Sequence, residues 1–151
     1  MTGYEPVVDF SLLVRRPATQ VWEAFVDPEQ IRQFWLAEST ARLTVGATVH
    51  WVFKVKGSET DVEVVESDPG RLLLLRWDEG QLLRIEFDDR GDATLVRVYL
   101  DGFEGEDAPG QAIDAISGFA LVLSSLKIWL EHGIDSQLMY DRFPDAAYND
   151  R

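Results

Sequence analysis

Near the start of the chain Phe10, Leu12 and Val14 alternate with Asp9 and Ser11, the two-residue period of a half-buried strand over residues 8–14. After Arg16-Pro17 the period lengthens, with Val21, Trp22 and Phe25 at helical spacing. Asp27-Pro28 then closes one short helix and opens another, Asp serving as cap and Pro fitting the first turn. The second helix carries Ile31, Phe34 and Trp35. Six further strand-like segments follow, at 37–43, 47–54, 60–67, 71–77, 82–88 and 94–101. The breaks between them hold Gly46, Lys56-Gly57-Ser58, Asp68-Pro69-Gly70, Asp78-Glu79-Gly80 and Asp89-Arg90-Gly91-Asp92, residues that form turns by mechanism. Links this short predict an antiparallel meander.

One phase of the meander is apolar throughout: Trp51 with Phe53, Val62 with Val64, Leu73 with Leu75 and Trp77, Leu83 with Ile85 and Phe87, Val96 with Val98. The other phase holds His50, Lys54, Asp61, Glu63, Arg76, Arg84, Glu86, Arg97 and Asp101 and is expected in water. The cover for the apolar face comes from the C-terminal third. An acidic, Gly-rich loop over 102–110 leads into a helix from Gln111 to His132. In that helix Ile116, Phe119, Leu123, Leu126 and Leu130 recur at three- and four-residue steps, and Ala112, Ala115, Val122 and Trp129 widen the stripe. Gly133 supplies the stop. At an α-helical rise this element spans about 33 Å, enough to cross a sheet diagonally. Residues 134–141 predict one more short helix that packs Leu138 and Met139, with a frayed end over 145–151. The fold class is therefore α+β: a curved antiparallel sheet of about seven strands wrapped around a long C-terminal helix, with two short helices after the first strand. Residues 1–151 form one domain, with its core at about 8–133 and an extension over 134–151.

Composition narrows the function classes. Hydrophobic residues at 46% and aromatics at 11% supply a core and exclude a disordered chain. Fourteen Lys and Arg against 27 Asp and Glu leave a net charge of −13, a field that repels nucleic acid and anionic lipid. With no cysteine, disulfides, thiolate metal sites and Cys nucleophiles are excluded. The N-terminus lacks the order of a signal peptide, and no apolar run approaches the roughly 20 residues of a bilayer span. The expectations are no membrane insertion and a cytoplasmic location.

The local sequence adds detail. Pro17 with Val21-Trp22 and Phe25, then Asp27-Pro28-Glu29 with Ile31 and Phe34-Trp35, is followed by Gly46, Trp51 with Phe53, Glu66 with Asp68-Pro69, and Arg71-Leu72. Trp77, Thr94-Leu95, Gly102-Phe103, Gly118-Phe119, Leu126-Lys127 and Leu130-Glu131 continue the series. In this order, over about residues 8–133, the chain resembles the START-like, birch-pollen-allergen-like superfamily, and within it the bacterial homologues of the activator of heat-shock protein 90 ATPase. Phe119 stands where that family often has Trp, and Asp101-Gly102 lacks the His that the family often has shortly before this Gly. The resemblance implies a helix-grip fold with a cavity between sheet and helix that holds lipids, polyketides, hormones or nothing identified in other members. It also implies a chaperone-interaction role through the family name, and a cyclase- or hydrolase-type enzyme as a further use of the same cavity.

A strongly curved sheet cannot be filled by one straight helix, so space remains unless bulky side chains close it. The five Trp residues, Trp22, Trp35, Trp51, Trp77 and Trp129, either fill that space as core or, for Trp35, Trp51 and Trp77, line an apolar pocket. The cavity-lining candidates are Trp35, Trp51, Phe53, Val62, Val64, Leu75, Trp77, Ile85, Phe87, Val96, Val98, Phe119, Leu123 and Leu126. His50 sits in the polar phase of a strand and His132 at a helix end, where a positive charge is favourable. The acidic runs at 104–107 and 88–89 lack calcium-loop periodicity, and no paired His pattern exists for a metal. Ser124-Ser125 lacks a nucleophile elbow, so a hydroxyl bonded to the backbone is expected. Neighbouring strands of a hairpin bring Glu66 and Arg76 near one another, either as a buried polar pair able to orient a ligand or, as their phase suggests, as a surface ion pair. No catalytic constellation, metal site or cofactor emerges. The sequence points to a non-catalytic binder of a hydrophobic small molecule or lipid-like ligand, with a protein partner and a homodimer left open.

Overall fold

The computed structural model describes residues 7–77 and 80–147. In chain order the elements are β1 (Val8–Val14), α1 (Ala18–Val26), α2 (Pro28–Ile31), β2 (Leu36–Ser39), β3 (Thr48–Phe53), β4 (Glu59–Asp68), β5 (Leu72–Trp77), β6 (Gln81–Asp89) and β7 (Thr94–Leu100). They end with α3 (Ala108–His132), α4 (Leu138–Asp141) and a single 3₁₀ turn at Pro144–Ala146. All seven strands form one antiparallel sheet in the order β1-β7-β6-β5-β4-β3-β2. The meander is therefore extended by β1, which pairs with the last strand at Leu12↔Val96. The expected α+β helix-grip fold is what the chain adopts.

Two-residue alternation decides which sheet face is dry. Val62, Val64, Leu73, Leu75, Leu83, Ile85, Phe87, Val96 and Val98 are all buried, while Glu63, Arg76 and Arg84 on the opposite phase are exposed. The dry face receives α3 through Phe119, Val122, Leu123, Leu126 and Leu130, and it receives α1 and α2 through Val21, Phe25 and Ile31. Burying each such aliphatic or aromatic side chain contributes about 1.5–3 kcal/mol. By length and composition α3 would also suffice to cross a bilayer, which a search for an unbroken apolar run passes over. One third of that stretch is buried, through residues such as Phe119, Val122, Leu123 and Leu126, while Ile113 and Ile116, the latter expected in the covered stripe, remain exposed.

Local chemistry sets the element ends. Asp27 accepts from the Glu29 N–H at 2.9 Å, and Pro28 opens α2. Gly133 takes the left-handed conformation at φ 68° and donates its N–H to the Trp129 carbonyl, closing α3. That end is tied to the first strand. Glu131 accepts from the Arg15 N–H at 2.7 Å and from Lys127 at 2.6 Å, and Lys127 also donates to the Leu13 carbonyl.

Four expectations change. The segment expected as a strand over 37–43 stops at Ser39, because the Leu43 N–H turns inward to the Val26 carbonyl and buries its side chain. The long helix begins three residues early, at Ala108, since Pro109 fits a first turn. Residues 145–147 are built into the structure: the Lys56 N–H donates to the Ala146 carbonyl at 2.8 Å, and Ala147 bridges to Val55. Lys54, expected in water, is 3% exposed, because the chain after α3 folds back over it and places Tyr140 against its ammonium.

Candidate functional site

The apolar faces of sheet and helix do not close completely. A cavity of about 300 Å³ remains between α3, the ends of β3 and β5, and the segment after α3. Aromatic rings form one part of its wall: Trp35 from beyond α2, Phe53 from β3, Trp77 from β5, Phe103 from the loop before α3, and Phe119 from α3. Leu100, Ala115 and Val122 add aliphatic surface, and Met139 and Phe143 come from the C-terminal segment. Polar atoms are few: Ser58, Gln81, Lys54, Asp114 and Arg142. A small volume, an apolar wall and a handful of polar groups match the usual composition of a small-molecule site, at the lower end of its size range.

The aromatic rings hold one another in place. Trp35 makes edge contacts with Trp51 at 5.0 Å, Phe119 at 5.6 Å and Trp77 at 6.1 Å between ring centres. Trp77 stacks on Phe119 at 6.3 Å, and its indole N–H donates to Gln81 at 3.1 Å. These are favourable geometries, worth about 0.5–1.5 kcal/mol per pair beyond burial. The wall is thus a preformed, rigid surface.

Trp35, Phe53, Trp77 and Phe119 border the cavity. Trp51 stands behind them, fully buried against Trp35, Phe53 and Trp77. Val62, Val64, Leu75, Ile85, Phe87, Val96, Val98, Leu123 and Leu126 lie in the packed core and take no part in the cavity wall. The inward phase identifies what faces the interior, and only the part of the interior near α4 is left open. Of the remaining indoles, Trp22 bonds Ser67 at 3.2 Å and stacks under Arg42, away from the ring cluster, while Trp129 is partly buried on α3.

The other candidates resolve simply. Arg76 pairs with Glu63 at 3.1 Å, directly across the ladder, and Glu66 faces Arg71 at 3.8 Å. The ladder sets Glu63 opposite Arg76 and Glu66 opposite Leu74, so the expected Glu66 and Arg76 pair does not form. Ser124 donates to the Ala120 carbonyl one turn earlier, as expected, and Ser125 meets Ser136 at 3.0 Å. His50 lies on the outer face, where Asp61 at 2.8 Å and Glu59 at 3.0 Å hold both ring nitrogens. The hydrogen bond that the ring donates to Asp61, with the one to Glu59 adding to it, raises the imidazole pKa above its ordinary 6.5. Among the described residues no group of three or more His, Cys, Asp or Glu converges for a metal ion.

Sequence reasoning expected a short helix that packs Met139, which does pack against the core, but missed Arg142 and Phe143, because α4 is one turn long and no periodicity marks them as wall residues. Gly118 carried a signal of a kind: a glycine inside a helix costs about 1 kcal/mol against alanine and so flags a packing reason. That reason is Arg142, whose Nη1 would lie 2.7 Å from a Cβ at this position.

The sheet, helix and cavity together define a START-like helix-grip domain. The chain belongs to the family described as "Activator of Hsp90 ATPase homolog 1-like protein", whose model matches residues 15–131. Among solved structures, a protein from Staphylococcus saprophyticus is 28% identical with a TM-score of 0.77, over 85% of this chain and 94% of that one. DynU16, described as a putative protein in the dynemicin biosynthetic locus, is 26% identical with a TM-score of 0.75; 89% of this chain spans 50% of that one. The Aha1 dimer from Colwellia psychrerythraea, 18% identical with a TM-score of 0.73 over 85% of this chain and 98% of that one, shares the fold. No curated protein matches the sequence.

Proposed function

We propose that this START-like domain is a non-catalytic binder of a hydrophobic small molecule or lipid-like ligand, held in the cavity between sheet and α3. In this reading residues 1–151 act as one domain in the cytoplasm. The observation that carries the reading is the aromatic wall: Trp35, Phe53, Trp77 and Phe119 border a space of about 300 Å³ that has five polar residues among its lining. A protein that needed these rings only for stability would gain by packing them to closure, because unfilled space forfeits dispersion contacts. Trp51 and the inward valines and leucines then form the rigid support behind the wall. The chaperone partner in the family's name belongs to the proteins that gave the name, and no residue of the cavity bears on it.

Binding is testable through the wall itself, since Trp35 and Trp77 report on the cavity by fluorescence. Native mass spectrometry of the purified chain should reveal a retained small molecule, and a saturable change in tryptophan emission should accompany titration with apolar probes. The control is Ala115→Leu, which adds three carbons to the wall from a helix position that favours leucine. It should weaken binding about tenfold or more while unfolding remains cooperative. A chain that retains nothing, and whose emission no apolar probe changes, would remove the reading.

A further inference from the structure

The geometry points to an acidic amphiphile as the ligand, with an apolar tail against the aromatic wall and a carboxylate or similar anion held by Arg142 and Lys54. This inference rests on the cavity reading above and adds the chemistry of the ligand's head. The chain carries 27 acidic against 14 basic residues, and the charged groups that line the cavity are the Lys54 ammonium, the Arg142 guanidinium and the Asp114 carboxylate. That carboxylate stays 75% exposed, while the Arg142 side chain is only 18% exposed. An arginine keeps its charge in any such setting.

Arg142 is also incompletely used. Its Nη2 donates to the Asp114 carboxylate at 2.9 Å and to the Asp114 carbonyl at 3.3 Å. Among the described residues Nε and Nη1 have no hydrogen-bond acceptor; the guanidinium instead lies over the Phe143 ring at 4.9 Å, with Nη1 beside Gly118. These donors are not sealed from solvent, since the side-chain nitrogens buried without a partner among the described residues are the indole nitrogens of Trp51 and Trp129; they stay open to an acceptor that enters the cavity. A planar carboxylate suits the fork of donors that remains. Lys54 lies on the sheet side of the same border, 3% exposed, with its ammonium 4.6 Å from the centre of the Tyr140 ring.

The group is assembled by the segment after α3. Residues 134–147 leave Gly133, cross the cavity, and fasten at two points: Arg142 on Asp114 of α3, and residues 146 and 147 on Lys56 and Val55 of the hairpin after β3. Met139, Arg142 and Phe143 all lie beyond the family match, which ends at residue 131. Arg142 is thus contributed by the segment after α3 and Lys54 by the sheet within the matched residues, so the head group meets one cation from each.

Three probes of equal tail length separate the possibilities: decanoate, decan-1-ol and decyltrimethylammonium, titrated calorimetrically and by tryptophan emission. Decanoate should bind about tenfold or more tighter than decan-1-ol, the return expected from a charge-assisted hydrogen bond, and the cationic probe should bind weakest. Arg142→Gln should bring the decanoate-to-decanol affinity ratio close to one, and Lys54→Gln should lower the same ratio and serves if the first variant fails to fold. Equal affinity for decanoate and decan-1-ol in the unaltered chain overturns the acidic-head inference while leaving the cavity reading intact. Failure of all three probes to bind overturns both.

Discussion

Glu131 shows how a single carboxylate can join two ends of a fold. Burial alone would raise its pKa, but the Arg15 N–H and the Lys127 ammonium outweigh that and hold it below the ordinary 4.5. A depressed carboxyl contributes stability that is present above its unfolded value and is lost as pH falls through the lower folded value. Glu131→Gln should therefore cost about 1–3 kcal/mol at neutral pH, and urea unfolding should show the two proteins converging as the solution is acidified below 4.5. A gap unchanged by acid would mean that the carboxylate's charge is not what matters. His50 has the opposite sign. Its pKa is raised, so its contribution is present below 6.5 and disappears as pH rises through the folded value. Because the pair partners are well exposed, the effect on stability is small, and the clear observable is the titration itself. An NMR titration should place His50 above 6.5, and Asp61→Asn should move it down toward that value.

Elements built from long apolar periods were legible in the sequence, and those built from contacts were not. The seven strands could be read because Leu73, Leu75 and Trp77, or Val96 and Val98, keep a strict two-residue phase with turn-formers on either side, and α3 because its stripe persists for several turns. The end of β2 was not legible: only the folded structure brings Leu43 to the Val26 carbonyl. The cavity was half legible, since the inward phase names every residue facing the interior without saying which part is left unfilled. What closes that part is one turn of helix and a 3₁₀ turn, held by the hydrogen bonds of Arg142 and Lys56. Gly118 tests this closure at the level of an element. A methyl group there meets the end of the flexible Arg142 side chain, which can move away. Gly118→Ala should thus leave global stability equal or up to about 1 kcal/mol higher from helix propensity, while amide exchange across 138–147 accelerates. Unchanged exchange in that segment would show that the Arg142 contact does not fasten it.

At the scale of the whole molecule the dominant quantity is the charge of −13 on a chain of 151 residues. The ion pairs recorded among the described residues are largely exposed, such as Arg76 with Glu63 and Arg42 with Glu23, and each contributes little. Acidic groups outnumber basic ones nearly two to one, so most of the excess carboxylates repel one another across the surface. Such self-repulsion destabilises a compact state and is screened by salt. Raising the ionic strength from about 10 mM to about 150 mM shortens the screening length from about 30 Å to about 8 Å. It should therefore raise the thermal unfolding midpoint, where a protein held by its surface ion pairs would lose stability. Glu104→Gln with Glu106→Gln, in the exposed loop before α3, should raise the midpoint at low salt and reduce its salt dependence. A midpoint that falls with added salt would show that the local pairs, rather than the net field, govern the electrostatics of this fold.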